Sequence, residues 1–271
     1  MIQPTPAPLL HVTDCAAVIT ATNPGPMTLD GTNSYLLRAA RDADAVVVVD
    51  PGPADEGHLQ ALAGQGRVEL ILVTHRHGDH TEGIDRLHGL TGAPVRAALP
   101  EHCRSAEPLS DGDVLTAAGV AIQVVATPGH TSDSLCFLVP EDGHHGSVLT
   151  GDTLLGRGTT ILDFPDGTLG DYLASLDVLS GFARATMLPA HGPVHPHLGT
   201  IVEQYTAHRL QRLDQVREAV ARITGGKTAA RPSVGEVTDV VYADVDPAVR
   251  GAAERSVAAQ VDYLFGATGR A

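Results

Sequence analysis

Thr74-His75-Arg76-His77-Gly78-Asp79-His80 packs three histidines and an aspartate into six consecutive residues. Imidazole nitrogen and carboxylate oxygen are preferred donors to zinc and its divalent neighbours, so this density points to a metal-dependent hydrolase. The run follows Val68-Glu69-Leu70-Ile71-Leu72-Val73, an apolar, β-branched-rich segment of strand length, and precedes a helix-like stretch over 81–90. The ligand candidates therefore belong on a strand-to-helix loop. Residues two apart in an extended loop point the same way. His75 and His77 are thus expected to grip one ion, with Asp79 and His80 turned toward a second point nearby.

Four donors do not complete two metal sites, so further ligands are expected at other strand ends. His130 lies in Thr127-Pro128-Gly129-His130-Thr131, Asp152 in Thr150-Gly151-Asp152-Thr153, and His191 in Pro189-Ala190-His191-Gly192. Each follows a strand-like segment and sits in a tight turn beside a glycine. Singly they are ordinary loop residues; as a set in one context they extend the constellation. His88, His102, His144 and His145 have no partners at useful spacing and are read as surface or loop histidines. His195 and His197 are read as bystanders near the mouth.

In this ordered set the chain resembles the metallo-β-lactamase superfamily. Its signature is an aspartate at a strand end, the His-x-His-x-Asp-His loop, and then a His, an Asp and a final His. Asp50, in Val46-Val47-Val48-Val49-Asp50-Pro51-Gly52, matches the first aspartate, which in the family braces the metal loop without binding metal. The resemblance covers roughly residues 10–205. It implies that His75, His77 and His130 hold one metal, that Asp79, His80 and His191 hold the other, and that Asp152 bridges them. It also implies a four-layer αββα sandwich, of mixed α/β (α+β) class. The oxygen-reducing di-iron relatives carry an acidic residue where this chain has Arg76, which favours hydrolysis.

A narrower likeness rests on the stretch from Asn23-Pro24-Gly25 to Thr32-Asn33-Ser34-Tyr35, on Gly158-Thr159-Thr160 and on Tyr205-Thr206-Ala207-His208-Arg209. These resemble the subgroup related to mitochondrial β-lactamase-like single-strand endoribonucleases, which appends a small winged-helix-like domain. An amphipathic run over 205–223, the Gly225-Gly226 break and helix-like stretches over 234–242 and 247–264 fit such a tail. The expected division is a catalytic domain over 1–206 and a helical domain over 207–271. The family's pattern continues into a short β wing, which is expected to be missing or reduced here, since the sequence ends at Gly269-Arg270-Ala271.

The 271 residues exceed the usual single core, and a composition of 43% hydrophobic and 18% charged residues supports full burial without a membrane span. The first eight residues lack a positive region followed by an apolar run, which predicts a cytoplasmic protein. Cys15, Cys103 and Cys136 are odd in number and scattered, so they are read as reduced packing residues. The net charge of −14 is uneven: residues 1–206 carry −15, 207–232 carry +4 and 233–271 carry −3. The basic strip of Arg209, Arg212, Arg217, Arg222, Lys227 and Arg231 either steers an anionic substrate or is the wet face of a joining helix. Aromatic residues make up only 3%, few for stacking unpaired bases.

Strands are expected near 34–38, 45–49, 68–73, 94–97, 120–125, 134–139, 147–150 and 186–188, with helices near 54–63, 79–90 and 168–181. Several of these strands are near-continuous Val/Leu/Ile runs, as befits burial on both faces. For the chemistry, two zinc ions share a water that loses its proton near neutral pH and attacks a carbonyl carbon or a phosphorus. Iron or manganese also suits such donors. Asp79 and Asp152 are the expected catalytic carboxylates, with Asp79 passing a proton to the leaving group. Arg157 and Thr159, with Thr160, are candidates to meet the substrate. The first reading is a small acyl substrate, such as a thioester, ester or lactone; the alternative is the phosphodiester of single-stranded RNA.

Overall fold

The protein is described from a computed structural model over residues 8–226, 231–244 and 250–266. Its strands in chain order are β1 (Leu10–His11), β2 (Ala16–Thr20), β3 (Asn33–Leu37), β4 (Ala45–Val49), β5 (Arg67–Leu72), β6 (Val95–Arg96), β7 (Val114–Ala117), β8 (Val120–Ala126), β9 (Leu135–Val139), β10 (Ser147–Gly151) and β11 (Thr186–Pro189). The first six form one sheet in sequential order, and the last five form a second in the order β11-β10-β9-β8-β7. The pairs β4–β5, β5–β6 and β10–β11 are parallel and the rest antiparallel.

The valine run of β4 shows why two sheets stack. Val47 and Val49 enter a core shared with Phe137, Ile122 and Leu149 of the other sheet, while Val46 and Val48 enter a second core with Leu59, Leu62 and Leu87. A strand apolar at every position must be covered on both faces, because alternate side chains leave opposite sides. Helices α1 (Glu56–Ala63) and α3 (Ile84–Thr91) supply Leu59, Leu62 and Leu87 over the first sheet. Helices α4 (Leu169–Ser180) and α5 (Leu198–Thr224) cover the second through Tyr172, Leu176, Ile201 and Tyr205. The result is a four-layer αββα sandwich.

The expected helix over 79–90 is two: α2 (Gly78–Thr81) and α3, parted at Glu82-Gly83. Gly83 N–H leaves the helical ladder to donate to Gly52 O at 2.9 Å, which anchors the metal loop to the turn after β4. Strands β1, β2 and β7 fall outside the expected set. β7 is an edge strand with its residues partly exposed, and so carries little apolar signal. The amphipathic run read over 205–223 is the latter part of a 27-residue helix whose opening turns bury Leu198, Ile201 and Val202.

Beyond Leu213, α5 joins α6 (Val234–Val241) and α7 (Arg250–Gly266) around a separate small core of Val216, Ala219, Val237, Val257 and Val261. Helix α6 opens with a reciprocal cap between Ser233 and Glu236. The part of the second tail helix expected over 247–249, like Lys227, lies outside the described residues. Among the described residues no helix is long and apolar enough to cross a membrane.

Candidate metal centre

The ligand candidates gather at one end of the sandwich, where the strands end. After β5, His75 and His77 lie in the expected loop, but Asp79 and His80 lie on the short helix α2; His130 follows β8, Asp152 follows β10 and His191 follows β11. The two sheets are stitched at this edge by Asn33 N–H to Ala190 O and Leu135 N–H to Thr74 O, both 2.8 Å. The turn into His130 needs Gly129: at φ +140°, an added Cβ would stand 2.4 Å from the Tyr172 backbone.

Five imidazoles converge, and each has its outer nitrogen beside a protein oxygen. His75 Nδ1 lies 3.1 Å from Thr74 Oγ1, and His130 Nδ1 lies 2.6 Å from Ile161 O and 3.2 Å from Thr160 Oγ1. His80 Nδ1 meets Asp50 Oδ2 at 2.9 Å, His191 Nδ1 meets Gly31 O at 3.1 Å, and His77 Nε2 faces Asp163 Oδ2 at 3.5 Å. An outer N–H given to oxygen leaves the inner nitrogen bare, its lone pair aimed at the centre.

The inner nitrogens form two groups. His75 Nε2 and His130 Nε2 each stand 3.0 Å from His77 Nδ1. Ring nitrogens this close must share a proton or a cation between them. On the other side, Asp79 Oδ2 lies 3.4 Å from His80 Nε2 and 3.2 Å from His191 Nε2, and is held by Thr32 Oγ1 at 3.1 Å. Asp152 faces both groups: its Oδ1 is 3.3 Å from His191 Nε2 and 3.6 Å from His80 Nε2, and its Oδ2 is 3.7 Å from His130 Nε2. Among the described residues, the donor sets His75/His77/His130, His75/His80/Asp152 and Asp79/His80/His191 could each hold a metal ion. His80 Nε2 and Asp152 Oδ1 are buried with no hydrogen-bond partner, which suits atoms of a metal-ligand set.

The electrostatics agree. Burial holds His75 well below the usual histidine range and also lowers His130. For His80 burial opposes charge, but the carboxylates of Asp50 and Asp152 outweigh it and raise the group. His191 is pushed up to about 9, burial being overcome by Asp152 and Asp79. Asp79 and Asp152, despite burial, are drawn far below the usual carboxylate range by His191 and His80. This half of the centre favours positive charge, which protons or a divalent cation can supply, and the donors present fit a divalent metal.

Behind the centre, Asp50 adopts φ +55° and is 2% exposed. Its carboxylate accepts from Thr74 N–H and Thr74 Oγ1, each at 2.8 Å, as well as meeting His80. Arg157 is exposed and paired through both terminal nitrogens with Asp30, at 2.7 and 2.9 Å, which ties the loop before β3 to the loop after Asp152. Thr159 is exposed, whereas Thr160 is buried against His130.

The basic strip is largely committed to the fold. Arg209 is buried, donates to Thr160 O and stacks over Tyr172 at 4.9 Å; Arg212 lies over Tyr242 at 5.1 Å; Arg217 pairs with Asp214 and Arg231 with Asp262. Residues not foreseen at the site are Thr32, Thr74, Asp163 and Asp166. Thr74 could have been found beside His75; the aspartates lie in a turn, Leu162-Asp163-Phe164-Pro165-Asp166-Gly167, that carries no metal-ligand pattern. His195 Nε2 bonds Gly156 O at 2.7 Å and takes no part in the donor sets.

Comparison with known proteins agrees with this geometry. The family model described as "Metallo-beta-lactamase superfamily" matches residues 27–191. The chain is 30% identical over 263 residues to a Beta-lactamase-like protein 2 homolog of Caenorhabditis elegans, covering 92% of this chain and 84% of that protein. It is 34% identical over 236 residues to the lactamase-like protein vrtG of Penicillium aethiopicum, covering 83% and 72%. Its fold is similar to that of a metallo-beta-lactamase family protein from Thermus thermophilus, with TM-score 0.72 at 23% identity over 93% and 94% of the two chains. With the matched span ending on the same His191 that closes the constellation, the chain belongs to the metallo-beta-lactamase superfamily of hydrolases.

Proposed function

We propose that the protein is a dinuclear metal-dependent hydrolase of small acyl substrates, a thioester, ester or lactone. His75, His77 and His130 would hold one ion, Asp79, His80 and His191 the other, and Asp152 would bridge them; zinc suits these donors, as do iron and manganese. Two such ions would supply a water acidic enough to attack near neutral pH and a Lewis acid for the charge developing on the carbonyl oxygen. The observation that carries the reading is Asp152, whose two oxygens separately face the two histidine groups at 3.3–3.7 Å.

The chain's own groups have definable parts. Asp50 keeps His80 Nδ1 protonated, so that Nε2 faces inward. Asp79 is steadied by Thr32 while its side chain stays 27% exposed, a position from which a carboxylate can hand a proton to a departing group. Arg157 acts through the loop it ties to Asp30, with Thr159 at the same mouth.

The acyl reading over the RNA reading is supported by the pairing of the cations. Arg157 and Arg76 at the site and Arg209, Arg217 and Arg231 on the strip all have carboxylate or carbonyl partners. A polyanion's backbone needs unpaired cations along its track. We further propose that residues 207–271 form a helical, winged-helix-like unit attached to a catalytic unit over 1–206, with their junction inside α5.

The test is turnover by metal-quantified protein of an acyl thioester and a fluorescent single-stranded RNA side by side, with Asp152→Ala as blank. Salt-indifferent hydrolysis of the thioester alone is expected. Cleavage of the RNA alone, falling steeply with salt, would overturn the acyl assignment, and equal turnover by Asp152→Ala would overturn the metal roles.

A further inference from the structure

Of the five convergent histidines, His77 is the one that turns Nδ1 inward, and it has the weakest outer contact. It is also half-exposed, with 34% of its side chain accessible. Its Nε2 faces Asp163 Oδ2 at 3.5 Å, and that same oxygen is gripped by Arg76, the residue between His75 and His77. The other terminal nitrogen of Arg76 pairs with Asp166. The guanidinium thus spans two carboxylates of one turn, a geometry that fixes both directions of the turn relative to the metal loop.

The turn is independently docked on the loop of His130. Asp163 N–H donates to His130 O at 2.8 Å, and Asp166 accepts from Ser132 N–H at 2.7 Å and Ser132 Oγ at 2.8 Å. Gly167 closes the turn so tightly that an added Cβ would stand 2.2 Å from Gly129 O and 2.4 Å from His130 O. His130 is therefore the base on which Asp163 is mounted, and Asp163 faces His77, another histidine of the same donor group. This relation joins segments 86 residues apart.

We infer that Asp163 is a positioning residue for the first metal site: clamped by Arg76 and seated on the His130 loop, it accepts the Nε2 proton of His77 and so presents a bare Nδ1 to the ion. The inference rests on the metal-site assignment proposed above. Arg76 acts on the metal site through Asp163, with its charge used within the protein and not on the substrate. A carboxylate behind a ligating histidine selects the tautomer, orients the ring and strengthens the donor.

The test uses the metal-free full chain. In long-range proton–nitrogen NMR spectra, His77 should be the Nε2–H tautomer in the parent protein and a tautomer mixture in Asp163→Asn. In stepwise cobalt(II) titration, Asp163→Asn should weaken one binding step by about tenfold, in line with other outer partners of metal histidines, and leave the other within about twofold. Asp163→Glu, which keeps a carboxylate in a half-exposed turn, should recover most of the loss. A parent His77 in the Nδ1–H tautomer would overturn the inference, as would unchanged or equally weakened steps in Asp163→Asn with its thermal unfolding intact. Should Asp163→Asn fail to fold, recovery by Asp163→Glu of fold without affinity would also overturn it. A parent protein that takes up no cobalt would overturn the metal-site assignment and this inference together, whereas uptake in two steps insensitive to Asp163 would overturn the inference alone.

Discussion

Asp50 Oδ2 and His80 Nδ1 lie 2.9 Å apart across thirty residues of sequence, with neither side chain more than 2% exposed. The same carboxylate receives two further bonds from Thr74, so one buried group aligns both ends of the metal loop. Asp50→Ala would leave three donors without an acceptor and place alanine at φ +55°, at a cost of about 3–5 kcal/mol in unfolding free energy. Asp50→Asn tolerates that backbone but presents an N–H where acceptors are needed. Its zinc affinity should fall about 10–100-fold, measurable by competition with a chromogenic chelator.

His58 offers a pH signature separate from the metal centre. It is 3% exposed, bonded to Ser34 Oγ at 2.8 Å, and burial pushes it down to about 4 from an ordinary 6.5, only partly offset by Asp55. Between these values the unfolded chain binds the proton and the folded chain refuses it. Stability is therefore complete above pH 6.5 and falls as pH drops toward 4, by about 3 kcal/mol from this group. Urea unfolding of the metal-free protein at pH 7 and pH 4.5 should show a smaller difference in His58→Gln than in the parent; equal differences would count against a neutral buried His58.

Metal removal should destabilise the chain, because the donor sets gather charges and lone pairs that repel without a cation. At about 100 times Kd a single bound ion adds about 2.7 kcal/mol, or roughly 5–10 °C in Tm for a domain of this size. Chelation followed by calorimetry, then readdition of zinc, should lower and restore Tm by that order. A Tm indifferent to both steps would argue against the centre.

Arg209 is expected to serve packing and not substrate capture. Arg209→Met keeps the apolar stem but strands Thr160 O and removes the stack on Tyr172, a loss of about 1–3 kcal/mol. The salt dependence of turnover should be unchanged in this variant. A flattened salt dependence would instead return Arg209 to substrate steering.

Much of this architecture was legible locally. Val46 to Val49 declare a strand covered on both faces, because in a pleat of period two an unbroken apolar run leaves no face for water. The histidines at 75, 77 and 80 declare a metal loop, because donors of one kind so near in sequence cannot be far apart in space. Other features were set only by the tertiary fold. The clamp of Arg76 on Asp163, the tie from Arg157 to Asp30 and the burial of Arg209 behind Thr160 join residues 87, 127 and 49 positions apart. A lone arginine or aspartate in a turn has no periodicity, and its charge reads the same whether it meets substrate, water or another side chain. Which one it meets is decided by how the loops of two sheets are brought together at one edge.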